Sequence, residues 1–170
     1  NAGVVLFDFA TVQSTGTGAG AGTITITGTG GTGTDDNDGV RIVDVSSVDS
    51  AAGNIQVTGM AGGNGAFNNG VELFDDGSIL STGVANVVVN GTGSATGSGP
   101  GVLIMKNGST IGATATGDVN INGTGTGGGE DIEWDTLNIS KTGGTYTFND
   151  TVLGKTLTVN AGAYAVVFND

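Results

Sequence analysis

The sequence contains no cysteine and no histidine. Without cysteine, the chain can form neither disulfide bonds nor thiolate metal sites. Without histidine, the nucleophilic catalytic triads that use an imidazole as general base are excluded. Only four lysines and arginines are present to stabilise negative charge developing in a transition state. We therefore expect the chain not to be an enzyme and to need no cofactor.

Positive charge is scarce in a second sense as well. The four basic residues face sixteen aspartates and glutamates, giving a formal net charge of −12. Arg41, Lys106, Lys141 and Lys155 are too scattered to form the basic patch that a nucleic acid or an anionic membrane surface requires. No run of residues is long and apolar enough to cross a bilayer. These observations predict neither a nucleic-acid partner nor insertion into a membrane.

Proline occurs once, and no segment shows the period of an amphipathic helix. Glycine is abundant, with 35 of the 170 residues, but it does not follow the Gly-X-Y period of collagen. Short runs rich in valine, isoleucine and threonine alternate apolar with polar residues and are bounded by glycine, asparagine and aspartate. This pattern is typical of short β-strands, and it predicts an all-β chain.

The short runs recur along the chain. One motif places glycine at positions 28, 59, 91 and 123, which is a nearly constant spacing. A second motif, Gly-Val-Xaa-(Ile/Leu), begins at Gly39, Gly70 and Gly101. Each repeat contains three such runs, which predicts a single-stranded parallel β-helix with three short strands per coil and strands stacked about 4.8 Å apart. The repeating glycines are expected at corners, where a positive φ or a close approach of the backbone favours glycine.

Stacking of equivalent coils makes the inward-facing residues predictable. The expected ladders are Ile24, Ile55, Val87 and Val119; Ile26, Val57, Val89 and Ile121; Val4, Val40, Val71 and Val102; Leu6, Ile42, Leu73 and Ile104; and Val12, Val48, Ile79 and Ile111. Ile132 and Trp134 are expected to continue the third and fourth ladders. We expect one domain over residues 1–170, with about six coils. Coils of about 31 residues with a long loop occupy 1–130, and narrower coils of about 20 residues occupy 131–170.

An acidic cluster lies in the first long loop, at Asp35, Asp36 and Asp38. Residues 30–35 match the start of the calcium-binding Gly-Gly-x-Gly-x-Asp repeat, but Asn37 replaces the large apolar residue that the repeat requires, and no tandem copy follows. One hypothesis is that these carboxylates bind Ca²⁺, and the other is that they form a solvated acidic loop. Smaller acidic groups at 75–76 and 130–135 allow the same two interpretations.

Outward positions beside the second motif are apolar. Phe7, Val43, Phe74 and Met105 are expected to stack into a stripe on the outside of the coil. Because a contiguous exposed apolar patch usually marks a contact surface, one interpretation is a lateral contact with another copy or another segment of the parent protein. The other interpretation is that the chain's own long loop covers the stripe.

The Xaa-Ile-Xaa-Ile-Thr-Gly-Thr-Gly motif, the Gly-Val-Xaa-Leu block and the 20-residue Leu-Thr-Val-Asn-Ala-Gly coils together resemble large secreted bacterial proteins of the filamentous-haemagglutinin and autotransporter-passenger type. The likeness is periodic and covers essentially the whole chain. It implies a right-handed parallel β-helix that is exported to the cell surface and is often adhesive. The family has no catalytic residues to transfer to this chain.

We therefore expect a structural, extracellular repeat module of a bacterial surface protein, acting as an adhesin, stalk or filament subunit. The sequence begins in mid-pattern, as expected for a processed piece of a longer protein. Its expected partners are other copies, or further coils of the parent chain, stacked end to end, with surface glycans as a further possibility. The alternative is a β-helix that binds or cleaves carbohydrate, which would need an aromatic platform and convergent carboxylates in one pocket.

Overall fold

The computed structural model describes residues 1–106, 108–112, 116–160 and 162–169. This part of the chain contains sixteen β-strands and no helix, and hence no helix that could span a membrane. All strand pairs are parallel, and they form three sheets. The architecture is the parallel β-helix with three strands per coil that the repeat predicts.

Each coil contributes one strand to each sheet until the coil narrows near its C-terminal end. Sheet 1 contains β1 (Val4–Leu6), β4 (Val40–Val43), β7 (Val71–Phe74), β10 (Val102–Met105), β13 (Ile132–Ile139) and β15 (Val152–Val159). Sheet 2 contains β2 (Thr11–Ser14), β5 (Ser47–Ser50), β8 (Ser78–Ser81) and β11 (Thr110–Gly112). Sheet 3 contains β3 (Ile24–Thr29), β6 (Ile55–Met60), β9 (Val87–Thr92), β12 (Val119–Thr124), β14 (Thr145–Asn149) and β16 (Ala165–Asn169).

The predicted ladders are confirmed by the strand register. In sheet 3, Ile55 lies in register with both Ile24 and Val87. In sheet 2, Val48 lies between Val12 and Ile79. The ladder residues of the interior coils are buried in one continuous core. Since burying a large aliphatic side chain stabilises by roughly 1.5–3 kcal/mol, the ladders are the main source of stability.

Of the two roles expected for the repeating glycines, the structure shows the close approach of the backbone and not the positive φ. None of the glycines at 28, 59, 91 and 123 has a positive φ; each lies inside a strand of sheet 3. Instead, the chain leaves the coil at these glycines and re-enters it beside them. The backbones of the departing and returning segments nearly touch. A Cβ on Gly59 would lie 2.7 Å from the carbonyl carbon of Gly70. The close approach, and not the dihedral angle, requires glycine at these necks, where the long loop begins and ends.

Positive φ angles occur instead at the turns between sheets 1 and 2. Three of these turns have two consecutive residues at positive φ, namely Asp8-Phe9, Asp44-Val45 and Asp75-Asp76. Aspartate tolerates this conformation better than most residues because its short side chain can bond locally. Val45, at φ 60°, is a β-branched residue in a strained conformation. The sharp corner of the coil is therefore built by aspartate rather than by glycine.

The coil changes shape after residue 130. Strands β13 and β15 are each eight residues long and continue past the place where the earlier coils turn into sheet 2. Their register pairs Leu137 with Leu157, as the predicted shorter repeat requires. The interior there is aromatic, with the Phe148 ring 5.0 Å from Trp134 and 5.1 Å from Tyr146. Large rings fill the core where the third face is lost.

Candidate functional site

The outer face of sheet 1 is unusual because much of it is buried. Its outward positions are occupied, in register from coil to coil, by Val5, Arg41, Glu72, Leu103, Glu133 and Leu153. Glu72 and Leu103 are each only 7% exposed although they point away from the core. Something other than the core must therefore cover the middle of this face.

The cover is formed by the long loops that leave the coil at the glycine necks. They comprise residues 29–38, 60–69, 92–100 and 124–130, and we call them the roof. Loop residues Phe67 and Pro100 line one groove together with Leu103 of the sheet. The roof therefore folds back over the outer face of sheet 1.

Two buried asparagines tie successive roof loops together. The Asn68 side-chain oxygen accepts hydrogen bonds from the backbone N–H of Asn37 at 2.8 Å and from its Nδ2 at 3.1 Å. The Asn68 Nδ2 donates to the carbonyl oxygens of Thr34, at 2.9 Å, and Gly65, at 3.0 Å. This side chain therefore uses its full donor and acceptor capacity. A buried amide satisfied in this way fixes the roof as a rigid layer.

An ion pair lies under the roof between the outward residues of neighbouring coils. Arg41 Nε lies 2.7 Å from Glu72 Oε2, although the contact is poorly aligned for a hydrogen bond. Burial is the largest influence on Glu72 and, with the nearby charge of Asp38, raises its pKa to about 7 against the opposing effect of Arg41. Burial also raises the pKa of Asp38, whose Oδ1 accepts the Asn69 N–H at 2.8 Å. The positive charge of Arg41 thus opposes the raised pKa of two buried carboxyls, those of Asp38 and Glu72.

We predict that Glu72 makes the protein less stable as the pH rises from about 4.5 to about 7. Its pKa is higher in the folded than in the unfolded chain, so the folded state binds more protons in that window, and stability falls as those protons are lost. Urea denaturation of wild type and of Glu72→Gln at several pH values measures the effect. The variant should lose much of the decrease in the free energy of unfolding with pH, on the order of 1–3 kcal/mol across the window. It should retain the part of that decrease due to Asp38. A slope unchanged by the substitution would contradict the assignment.

The roof becomes narrower toward the C-terminal end, and this opens a groove. The loops at 60–69, 92–100 and 124–130 become progressively shorter, and β14 is joined to β15 with no long loop. The outer face of sheet 1 therefore becomes accessible beyond the buried Leu103, toward the half-buried Met105 and the exposed Leu153. The resulting groove has a volume of about 400 Å³.

Phe67 stands at this groove as a 66% exposed residue with its backbone at φ 55°. A bulky residue in this conformation is a genuine outlier, and the left-handed region costs roughly 1–2 kcal/mol. Its neighbours hold it there. The Ala66 N–H donates to Asp35 Oδ1 at 2.7 Å, and Asn68 is completely buried. The ring is therefore presented to solvent by a rigid segment.

The acidic end of the groove is formed by Glu130 and Glu133. Partial burial raises the pKa of Glu133, the charge of Glu130 adds to this effect, and Lys155 opposes it. Lys155 is itself paired with Asp135. Counting Glu130, Glu133, Asp135 and Lys155, three negative charges face one positive charge, a local excess of two. No lysine or arginine lines the groove among the described residues.

No protein-family model, no curated protein and no solved structure matches this chain. The likeness to filamentous-haemagglutinin and autotransporter-passenger proteins thus remains an expectation from the sequence.

The structure separates the three carboxylates of the predicted calcium site. Asp35 is exposed and accepts the Ala66 N–H, whereas Asp38 is 1% exposed and accepts the Asn69 N–H. Asp36 is exposed, and its carbonyl oxygen accepts a hydrogen bond from the N-terminal amino group at 2.7 Å. Within the described ranges, no group of three acidic side chains is placed to hold a metal ion. Asp35 and Asp38 each join one roof loop to the next.

The predicted stripe is in register but is not uniformly exposed. Phe74 lies between Val43 and Met105 in sheet 1. Val43 is buried, Phe74 and Met105 are half-buried, and Phe7 is exposed. Lys106 also covers Phe74, with its Nζ 4.3 Å from the ring centroid. Met105 lines the groove, at the C-terminal end of the stripe.

Sequence reasoning missed the pairing of Arg41 with Glu72 and the position of Phe67. The first could have been found, because the two residues occupy the same outward place in consecutive repeats of the second motif. The second has no signal in the sequence, because Phe67 lies in a variable loop with no periodic pattern. Its place beside Leu103 depends on how the roof folds back.

Proposed function

We propose that this chain is a structural repeat module of a large extracellular bacterial surface protein, acting as an adhesin, stalk or filament subunit that stacks end to end. The observation that carries the proposal is the unbroken register of the ladders. Every coil repeats the hydrogen bonds of the previous one, as in the bonds from Ile24 N to Asn54 O and from Ile55 N to Asn86 O, both 2.9 Å. A core built in this way can be extended by further coils without a new kind of contact.

The outside of sheet 3 supports the same proposal. A line of asparagines runs along it, in which Asn122 Nδ2 donates to Asn90 Oδ1 at 2.6 Å and Asn149 Nδ2 donates to Asn122 Oδ1 at 2.6 Å. Asn169 continues the line to Asn149 at 2.8 Å. Such ladders stabilise stacked strands at each step along the axis. Because these bonds run along the axis, they favour growth in that direction.

The outermost strands show where stacking would occur. Ile24 donates its N–H to the second coil, so the alternation of a β-strand directs the N–H groups of Thr25 and Thr27 away from it. Among the described residues, β3 pairs only with β6, and β16 pairs only with β14. Unpaired edges of this kind accept a further strand. The occupant we propose is a coil of another copy or of the same parent protein.

We predict that Thr25→Pro reduces self-association while leaving the fold intact. Proline removes an N–H that points out of the edge of the sheet, and the Thr25 side chain is exposed. Sedimentation velocity over a wide range of concentrations should show species larger than the monomer for wild type, and mainly monomer for the variant. Thr25→Ser, which keeps the N–H, should behave as wild type.

An interior substitution provides the second control. Gln56 is in register with Thr25 but has strands on both sides, so Gln56→Pro should remove a ladder bond and destabilise the fold. Wild type that remains monomeric at every concentration would contradict stacking between copies. The remaining form of the proposal, stacking onto coils of the same parent chain, would then be tested with a longer expressed segment.

The carbohydrate alternative is favoured by one observation, the exposed Phe67 ring in a groove with Glu130 and Glu133. An aromatic platform beside carboxylates suits a sugar ring. Binding to a glycan array, or release of reducing sugar from polysaccharides, would support this alternative. We assign no catalytic step to these carboxylates, because the groove has no lining cation among the described residues to stabilise developing negative charge.

A further inference from the structure

We propose that the groove formed by Phe67, Leu103, Met105 and Leu153 binds a polypeptide segment in which a lysine or arginine is flanked by aliphatic residues, with the cation directed to Glu130 and Glu133. This inference does not depend on end-to-end stacking, because the groove lies on the side of the coil. It assigns a partner chemistry to the part of the sheet 1 face that lies open at the C-terminal end of the roof.

The apolar part of the groove matches aliphatic side chains. Leu103 is buried in its floor, Met105 is half-buried, and Leu153 is 51% exposed at its open end. Pro100 and Phe67 form part of the wall on the side of the roof. Concave surfaces lined mainly by apolar side chains with a few polar groups at fixed places are the usual form of a binding site.

The cost of the left-handed backbone at Phe67 is not offset by a matching contribution of its side chain to stability. The equivalent place in the previous loop is held by Asp36, which is also at positive φ. An aspartate or asparagine would suit that backbone better, and the exposed Phe67 ring gains little from burial. A rigid, exposed aromatic ring is, however, what an interface uses to anchor a partner, because few rotamers are lost on binding.

The charges of the groove select a cation over an anion or a neutral ligand. Glu130 and Glu133 both line it, and Lys155, whose charge acts on Glu133, is already paired with Asp135. Phosphate, sulfate and acidic sugars would be repelled by this excess of negative charge. An ammonium or guanidinium group would relieve the repulsion between the two glutamates in a groove that the Phe67 ring also lines. The alkyl stem of a lysine or arginine also covers apolar surface well.

The test uses the whole 170-residue chain carrying Thr25→Pro, so that loss of stacking and loss of binding are read separately. The probes are acetyl-Leu-Arg-Leu-amide, its Gln analogue acetyl-Leu-Gln-Leu-amide, and the neutral oligosaccharide cellotetraose. Binding is followed by changes in the backbone amide NMR signals, with Gly128 and Gly129 reporting on the groove. We expect the arginine peptide to bind at least about fivefold more tightly than the glutamine peptide. Its binding should weaken with added salt.

Two variants locate the site. Phe67→Asn should weaken binding of the arginine peptide by at least about fivefold. It should make the fold no less stable, because asparagine suits a positive φ. Phe9→Asn is the matched control, since Phe9 is also an exposed aromatic at positive φ, 71% exposed and outside the groove. It should relieve the same strain and leave binding unchanged. Glu130→Gln with Glu133→Gln should remove the preference for arginine.

Three results would overturn the proposal. Equal binding of the arginine and glutamine peptides would show that the carboxylates do not distinguish a cationic side chain from a neutral one. Binding of cellotetraose at Gly128 and Gly129 in place of the peptides would assign the groove to carbohydrate. No response from any probe would show that the groove is not a binding site for this chemistry. Each result leaves the sedimentation test of stacking unaffected, so the two proposals fail separately.

Discussion

Replacing Gly59 by alanine should destabilise the protein by about 3 kcal/mol, the upper end of the usual cost of overpacking. A methyl group at this position would lie 2.7 Å from the carbonyl carbon and closer still to the carbonyl oxygen of Gly70. Both partners are backbone atoms of a neck where the roof loop leaves and re-enters the coil, so neither can rotate away. Because whole domains are stable by only about 5–15 kcal/mol, the fold would lose a large fraction of its stability.

The measurement is urea denaturation of the purified variant. Gly18→Ala and Gly20→Ala are the matched controls, since a Cβ at either position would meet no atom within 4 Å. Both should be neutral or slightly stabilising, because alanine reduces the freedom of the unfolded chain. If Gly59→Ala were as well tolerated as these controls, the neck would not be the close contact described above.

Replacing Phe148 by alanine should cost about 3–5 kcal/mol. The ring is completely buried and contacts Trp134 and Tyr146 in the aromatic part of the core. Backbone strands on either side hold the space open, so the cavity cannot collapse. The loss should be visible as a lower urea midpoint with a similar dependence on denaturant.

Phe168 provides the internal comparison for this prediction. It occupies the same ladder position one coil later and stacks on Phe148 at 5.0 Å, but it is 53% exposed. In the Thr25→Pro background, where copies should not stack, Phe168→Ala should therefore cost much less, roughly 1 kcal/mol. Equal losses at the two positions in that background would contradict the exposure of the end coil.

The fold was predictable because two independent periods agree. Alternation within each strand shows which residues point inward, and the spacing of the repeat shows which inward residues meet. The register of Ile24 with Ile55, and of Ile55 with Val87, follows directly. The role of the glycines was only partly predictable, because spacing shows that Gly59 recurs but not whether its φ or its neighbour is the cause.

The candidate site was less predictable because it depends on the loops. The acidic run at Asp35, Asp36 and Asp38 suggests a shared cation, but the structure turns two of these carboxylates toward backbone N–H groups of the next coil. Val43, Phe74 and Met105 are in register on one face, as the repeat predicts, but their exposure depends on what lies over them. Alternation along a strand distinguishes inside from outside, and it does not distinguish an open outside from a covered one.

By itself, the sequence determined the parallel β-helix, the composition of its ladders and the change to shorter coils, because local alternation and repeat spacing are encoded in neighbouring residues. Only the tertiary structure decided that the long loops fold back as a roof, that Glu72 is buried beside Arg41, and that Phe67 stands over an open groove. These features arise from contacts between irregular segments of different coils. Such contacts depend on the direction in which each loop leaves its neck, and no periodic pattern records that direction.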